Sequence, residues 1–228
     1  MEKGRKSAKR IVAVLLTAAI MVGGIAGGTY AWLISKTDEV VNTFSYGDIN
    51  ISIEETDTGK DGDSDENTNT YKMMPGETIG KDPKITVEAD NEACWLYVKL
   101  TRSVDPEFDK FMTYDIADGW YELTKDAAKG EYVYFRYVDA DTDSTGVTYP
   151  VIKDNSVTVK STVTKEMFDA LTAYPTLKVK GYAMQYAGFE VVDTLSGAVI
   201  INPSEAEMKP FAQSAWEQVL AAETGTNP

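Results

Sequence analysis

Alternating apolar and polar side chains mark most of the chain beyond residue 43. Ile49, Ile51 and Ile53 alternate with Asn50, Ser52 and Glu54, which predicts a strand over Phe44–Glu54 with one buried face and one wet face. The run from Cys94 to Leu100 places Cys94, Leu96, Val98 and Leu100 on a single face. Further strands are expected at Lys84–Glu88, Trp95–Val104, Gly119–Leu123, Glu131–Val138, Val157–Val163 and Leu177–Tyr186, segments dense in Tyr, Val, Thr and Ile. Glu131–Val138 carries bulky groups on both faces, so it packs from both sides or shows an aromatic outer stripe. Thr164–Leu171 reads as a short helical turn, with Phe168 and Leu171 on one side.

The spaces between these runs read as turns and loops. Glu55–Thr70 has no apolar residue and reads as a mobile acidic loop. Pro75-Gly76 is a turn signal. Strands joined by turns, without alternating long helices, predict a mainly β protein: an antiparallel, jelly-roll-like sandwich with short helical segments. The C-terminus breaks this pattern. Ser204-Glu205-Ala206-Glu207 is a capping-box sequence that opens a helix over 204–222. Pro210 is expected to break or restart that helix. Phe211, Ala215, Trp216, Val219 and Leu220 then share one stripe, which packs on the sandwich or docks a partner.

The N-terminus changes the picture from fold to destination. Lys3, Arg5, Lys6, Lys9 and Arg10 precede an uncharged run from Ile11 to Gly28, followed by Thr29-Tyr30-Ala31. Basic, apolar, then small is the order of a secretory signal peptide, with cleavage between Ala31 and Trp32. The alternative is an uncleaved anchor, but a span needs about 20 mostly apolar residues and Ile11–Ile25 is shorter. The expected organisation is a signal peptide over 1–31 and a mature N-terminal segment over 32–43. The β-sandwich domain covers 44–223 and a loose tail 224–228. The protein is expected to be secreted, extracellular or on the cell surface, with no stable membrane insertion after cleavage.

Charge and residue scarcity then remove whole classes of function. The chain holds 22 Lys and Arg against 36 Asp and Glu, a net charge of −14. Cleavage after Ala31 takes away five basic residues and one acid, leaving a net charge of −18. Such a surface repels phosphates, so nucleic acid is not an expected partner. Cys94 is the lone cysteine, so a hydrophobic core and not a disulfide must hold the fold, with Cys94 read as a core thiol. No histidine occurs, which excludes Ser-His-Asp and Cys-His nucleophiles and every His-Glu-x-x-His zinc site. Asp61–Asp65 and Asp139–Asp143 carry acids at alternate positions. The sixth and twelfth places of an EF-hand would fall on Glu66 and Lys72, or on Ser144 and Pro150, so neither is one. Both read as solvated acidic loops, with weak calcium binding as the alternative. No cofactor and no catalytic residue is expected.

Several short motifs, in order, resemble the TasA/camelysin family of exported proteins with a SipW-type signal peptide. They are Gly27-Gly28-Thr29-Tyr30-Ala31-Trp32-Leu33, then Asn42-Thr43-Phe44-Ser45-Tyr46-Gly47 ahead of the strand through Glu54. Pro75-Gly76-Glu77-Thr78-Ile79, Pro83–Glu88 and Cys94–Leu100 are similar to the family's next segment. Gly181–Phe189 and Ala215-Trp216 are similar to its end. The resemblance implies a jelly-roll domain in a Gram-positive bacterium and a role in extracellular matrix or biofilm fibres. It also implies that the mature N-terminal segment, here Trp32 to Val41, completes the sheet of a neighbouring subunit. Trp32, Leu33, Ile34, Val40 and Val41 are then the assembly residues, and the partners are other copies, after signal peptidase during export. Camelysin-like proteins have been described as metalloproteases, and the absence of histidine departs from any histidine-based form of that activity.

Two features depart from the fibre reading. The loop Glu55–Thr70 is acidic, and Gly188–Pro203 inserts Phe189-Glu190-Val191-Val192 and Ala198–Ile201, expected as an added hairpin covering a sheet edge. The alternative function is a monomeric surface module binding glycan through exposed Trp120, Tyr121, Tyr132 and Tyr134. A secreted hydrolase is a more distant one.

Overall fold

The computed structural model describes residues 34–36, 49–56, 69–140, 145–193, 195–200 and 202–225. Among them are two β layers and a long C-terminal helix. One layer is a five-stranded antiparallel sheet in the order β1 (Ile34–Lys36), β11 (Leu177–Gln185), β5 (Cys94–Arg102), β8 (Glu131–Val138), β7 (Tyr121–Asp126). The facing layer has two three-stranded parts. These are β2 (Ile51–Glu54), β4 (Lys84–Val87) and β9 (Val147–Pro150), then β3 (Thr78–Gly80), β10 (Ser156–Val159) and β6 (Met112–Thr113).

The two parts are one broken sheet. Between them the Lys81 N–H donates to the Asn155 carbonyl at 2.9 Å, and the Val151 N–H to the Pro83 carbonyl at 3.0 Å. Two local features make the break. Pro83 has no N–H to give the ladder, and Asp154 and Asn155 take positive φ angles of 54° and 51°.

The alternation read from the sequence sets the inner core. Cys94, Leu96, Val98 and Leu100 of β5 face Ile51, Ile85, Val87, Val157 and Val159 of the facing layer, all buried. Ile49 is buried as well and Ile53 is half-buried, as their spacing predicted. Burial pushes the Cys94 thiol up to about 12, so at neutral pH it is an inert core group. The short helices α1 (Phe108–Phe111) and α2 (Lys165–Asp169) pack beneath this core, with Phe111 and Phe168 stacked at 6.1 Å. Thr164 caps α2, accepting from the Met167 N–H at 3.4 Å.

The opposite face of the five-stranded sheet is buried too. Trp95 and Tyr97 of β5, Val133 and Phe135 of β8, and Tyr182 and Met184 of β11 form a second cluster under α3 (Glu205–Thr224). β8 is therefore packed from both sides. This overturns the exposed aromatic stripe: Trp120 and Tyr132 are buried, and Tyr121 and Tyr134 are half-buried within the two cores.

Helix α3 begins as its capping box predicts: the Glu207 carboxylate accepts from the Ser204 N–H at 2.8 Å and from its hydroxyl at 2.6 Å. It does not break at Pro210, which lies inside the continuous helix. A mid-helix proline costs about 3 kcal/mol, and burial of Met208, Ala212, Ala215, Trp216 and Val219 on both sides of it outweighs that cost. The stripe is also shifted from the expected one, since Leu220 is exposed and Phe211 only half-buried.

The inserted segment forms a small hairpin, with Val192 bridged to Val199 and the Ile200 N–H donating to the Val191 carbonyl at 2.8 Å. It does not cover an edge as expected. Phe189, Val191 and Ile200 join the cluster on the helix-side face, and no sheet strand pairs with it among the described residues. β3 and β9 went unread, because each is short and mostly exposed.

Candidate functional site: the sheet edge closed by the N-terminal strand

β11 is nine residues of LKVKGYAMQ, and its buried half, Gly181–Gln185, alternates between the two cores. Ala183 enters the inner core, while Tyr182 and Met184 enter the outer one. On one side all nine residues pair with β5, from Leu177 opposite Arg102 to Gln185 opposite Cys94. On the other side the strand would be an edge, with a row of unpaired backbone groups. β1 fills that position. Ile34 pairs with Met184, Ser35 with Ala183 and Lys36 with Tyr182, antiparallel.

The site's rear wall is the C-terminal helix. Trp216 packs against Tyr182 edge-on at 5.1 Å and against Tyr97 at 5.1 Å. The buried Tyr97 hydroxyl donates to the Ala212 carbonyl at 2.9 Å. Burial, and after it the neighbouring Cys94, pushes that phenol up. Near the helix end, Glu223 accepts from Lys180 Nζ at 2.9 Å and from the Tyr182 hydroxyl at 3.1 Å. Trp95 fixes the far end, its Nε1–H donating to the Phe189 carbonyl at 3.2 Å. Tyr182, which pairs with β1 through its backbone, is thus locked from behind through its ring and hydroxyl.

Of the residues singled out from the sequence, Ile34 lies in β1. Thr29, Ala31, Trp32, Leu33, Val40 and Val41 lie outside the described residues, as do Asp61–Asp65 and residues 141–143 of the second acidic run. Glu223 and its two partners were missed, since no spacing signal links a helix end to a strand some 40 positions earlier.

No helix among the described residues is long and apolar enough to cross a membrane. Also among them, no group of three or more His, Cys, Asp or Glu side chains is placed to hold a metal ion.

No curated protein and no solved structure matches the chain. A family model described as camelysin metallo-endopeptidase matches residues 6–92, a stretch that runs from the basic N-terminus through β1, β2, β3 and β4. That stretch contains the Thr29-Tyr30-Ala31 and Asn42–Gly47 motifs and the Pro75-Gly76 turn. Proteins of this family are typically exported, and similarity to it is consistent with a secreted surface or matrix protein. The match supports the resemblance read from the motifs: over residues 6–92 the chain is similar to the TasA/camelysin family.

Proposed function

We propose that this is a non-catalytic extracellular structural protein whose copies assemble by exchanging the N-terminal strand. One observation carries the reading: β1 is a three-residue strand at the rim of the five-stranded sheet that, among the described residues, pairs with Tyr182–Met184 of β11. In the single chain this is the folded-back form. The same backbone ladder forms equally well when β1 comes from another copy. A contact of this type is head-to-tail and does not close on itself, so it propagates as a filament. Folding back avoids the loss of translational freedom and wins at low concentration, while exchange wins when the protein is concentrated.

The alternative of a glycan-binding aromatic surface is disfavoured, because the aromatics it requires are in the cores. A histidine-based zinc protease is disfavoured by the absence of histidine from the chain. Deleting residues 32–41 should abolish filaments seen by electron microscopy while leaving the β signal in circular dichroism. Filaments that persist in the deletion would overturn strand exchange.

A further inference from the structure

Three rings meet on the helix-side face of the five-stranded sheet, where β5 begins, β8 ends and β11 has just ended. The Tyr137 and Tyr186 rings are 4.6 Å apart and tilted at 56°, the shortest ring separation among the described residues. Trp95 stands behind both, 5.9 Å from Tyr137 and 5.3 Å from Tyr186. The ladder shows how rings from strands that are not neighbours come to touch. Tyr137 lies opposite Trp95 on one side of β5. On the other side the Tyr186 N–H donates to the Ala93 carbonyl at 2.8 Å. Ala93 is two places before Trp95, so it shares that face, and it has no ring to hold the tyrosines apart.

The pair is open to solvent. Trp95 is fully buried, but Tyr137 and Tyr186 are each only half-buried. Both phenols are held in place. The Tyr137 hydroxyl donates to the carboxylate of Asp139, an exposed residue. Burial, and after it that carboxylate, pushes the Tyr137 phenol up, so it keeps its proton at neutral pH with an acceptor already in position. The Tyr186 oxygen accepts from the Val191 N–H at 2.9 Å. The single thiol of the chain, Cys94, belongs to the core on the opposite face of the sheet, so no disulfide secures this end.

We propose that Tyr137 and Tyr186 are a site of oxidative cross-linking, joined into a dityrosine by a peroxide acting through a haem peroxidase as one-electron oxidant. Each phenol loses one electron and one proton, and Asp139 takes the proton of Tyr137. The two phenoxyl radicals form a carbon–carbon bond between ring positions next to oxygen. The hydrogen on each joined carbon then moves to oxygen and restores the phenol. The peroxide gains the two electrons and two protons, its O–O bond breaks, and two waters leave. Rings already in contact make the coupling an intramolecular step, which favours it over coupling between chains. The link runs from the end of β8 to the segment after β11, over β5, and restricts the unfolded chain as any cross-link between distant residues does. The proposal does not depend on strand exchange.

The test is to treat the dilute full chain with peroxidase and hydrogen peroxide, under conditions that couple free tyrosine, and to follow dityrosine fluorescence and intact mass. The product should be a monomer lighter by two hydrogens, formed at a rate independent of protein concentration, with a raised denaturation midpoint. After trypsin, the peptide from Tyr137 to Lys153 should be linked to the peptide from Gly181 to Pro228, with fragmentation placing the bond at Tyr137 and Tyr186. Tyr137→Phe and Tyr186→Phe should each abolish this product. Tyr174→Phe should not, although Tyr174 is 74 % exposed and sets the test for coupling by exposure alone. The proposal is overturned if the folded chain gives no such link, if the link forms as fast in denaturant, or if the products are joined through Tyr174 instead.

Discussion

Both ends of the chain hold β11, and they hold it in different ways. The C-terminal helix brings twenty residues, sets Trp216 against Tyr97 and Tyr182, and ties Glu223 to Lys180 and Tyr182. β1 brings three residues and a backbone ladder. Magnitudes separate the two. Burying one large aromatic is worth several kcal/mol. A backbone hydrogen bond contributes about 0.5–1.5 kcal/mol net, and ordering each residue costs about 1–2 kcal/mol. The backbone terms of the strand nearly cancel, whereas those of the helix's buried stripe do not. One terminus is built to stay, and the other is held by an interaction that a second copy can supply on equal terms.

The largest effect should come from breaking the helix side. Trp216→Ala removes the side chain shared by two tyrosine rings and should cost about 3–5 kcal/mol in chemical denaturation. A loss under about 1 kcal/mol would mean the helix is not what secures this face. Pro210→Ala sharpens the contrast in the other direction. Pro210 is exposed within the helix, so restoring the missing N–H should stabilise by about 1–3 kcal/mol, read as a higher denaturation midpoint. Glu223→Gln removes the charge that Lys180 meets, a pair about a quarter exposed, and should cost about 1 kcal/mol.

Acid should separate folding from association. Glu207 is held below the usual carboxylate range by the Ser204 hydroxyl and N–H. At Asp82 burial pushes the carboxyl up, but hydrogen bonds from Thr56 and Lys84 outweigh it and the net direction is down. A carboxyl depressed in the fold contributes stability above its unfolded pKa, about 4, and loses it as pH falls through the lower folded value. The denaturation midpoint should therefore be flat from pH 7 to about 5 and fall below about 4. Light scattering should rise as the pH drops toward 5, because repulsion between copies of charge −14 weakens. Scattering that ignores both pH and salt would contradict the electrostatic part of this account.

Much of the architecture was legible in period-two alternation, because a strand facing a core must alternate. That is why the Ile49–Ile53 stripe and the inner face of β5 were readable, and why Glu131–Val138 was found with its bounds as observed. β3 and β9 were not legible, since three- and four-residue exposed strands carry no stripe. Pro210 was misjudged because local propensity knows nothing of the buried residues on either side of it. The sequence left open whether the Glu131–Val138 aromatics face a core or water, since Tyr132 and Tyr134 read alike whether the face meets water or a second sheet. The rings around Arg136 were not legible, since Trp120 and Tyr149 reach it only through tertiary structure.

Strand exchange is tested most directly by comparing the chain that begins at Trp32 with one lacking residues 32–41, in a sedimentation series rising in concentration at pH 5. The account predicts concentration-dependent oligomers for the first. The second should remain monomeric, with a denaturation midpoint little changed because three residues of ladder contribute little. Oligomers that form equally in both chains, or a chain from Trp32 that stays monomeric throughout, would contradict it.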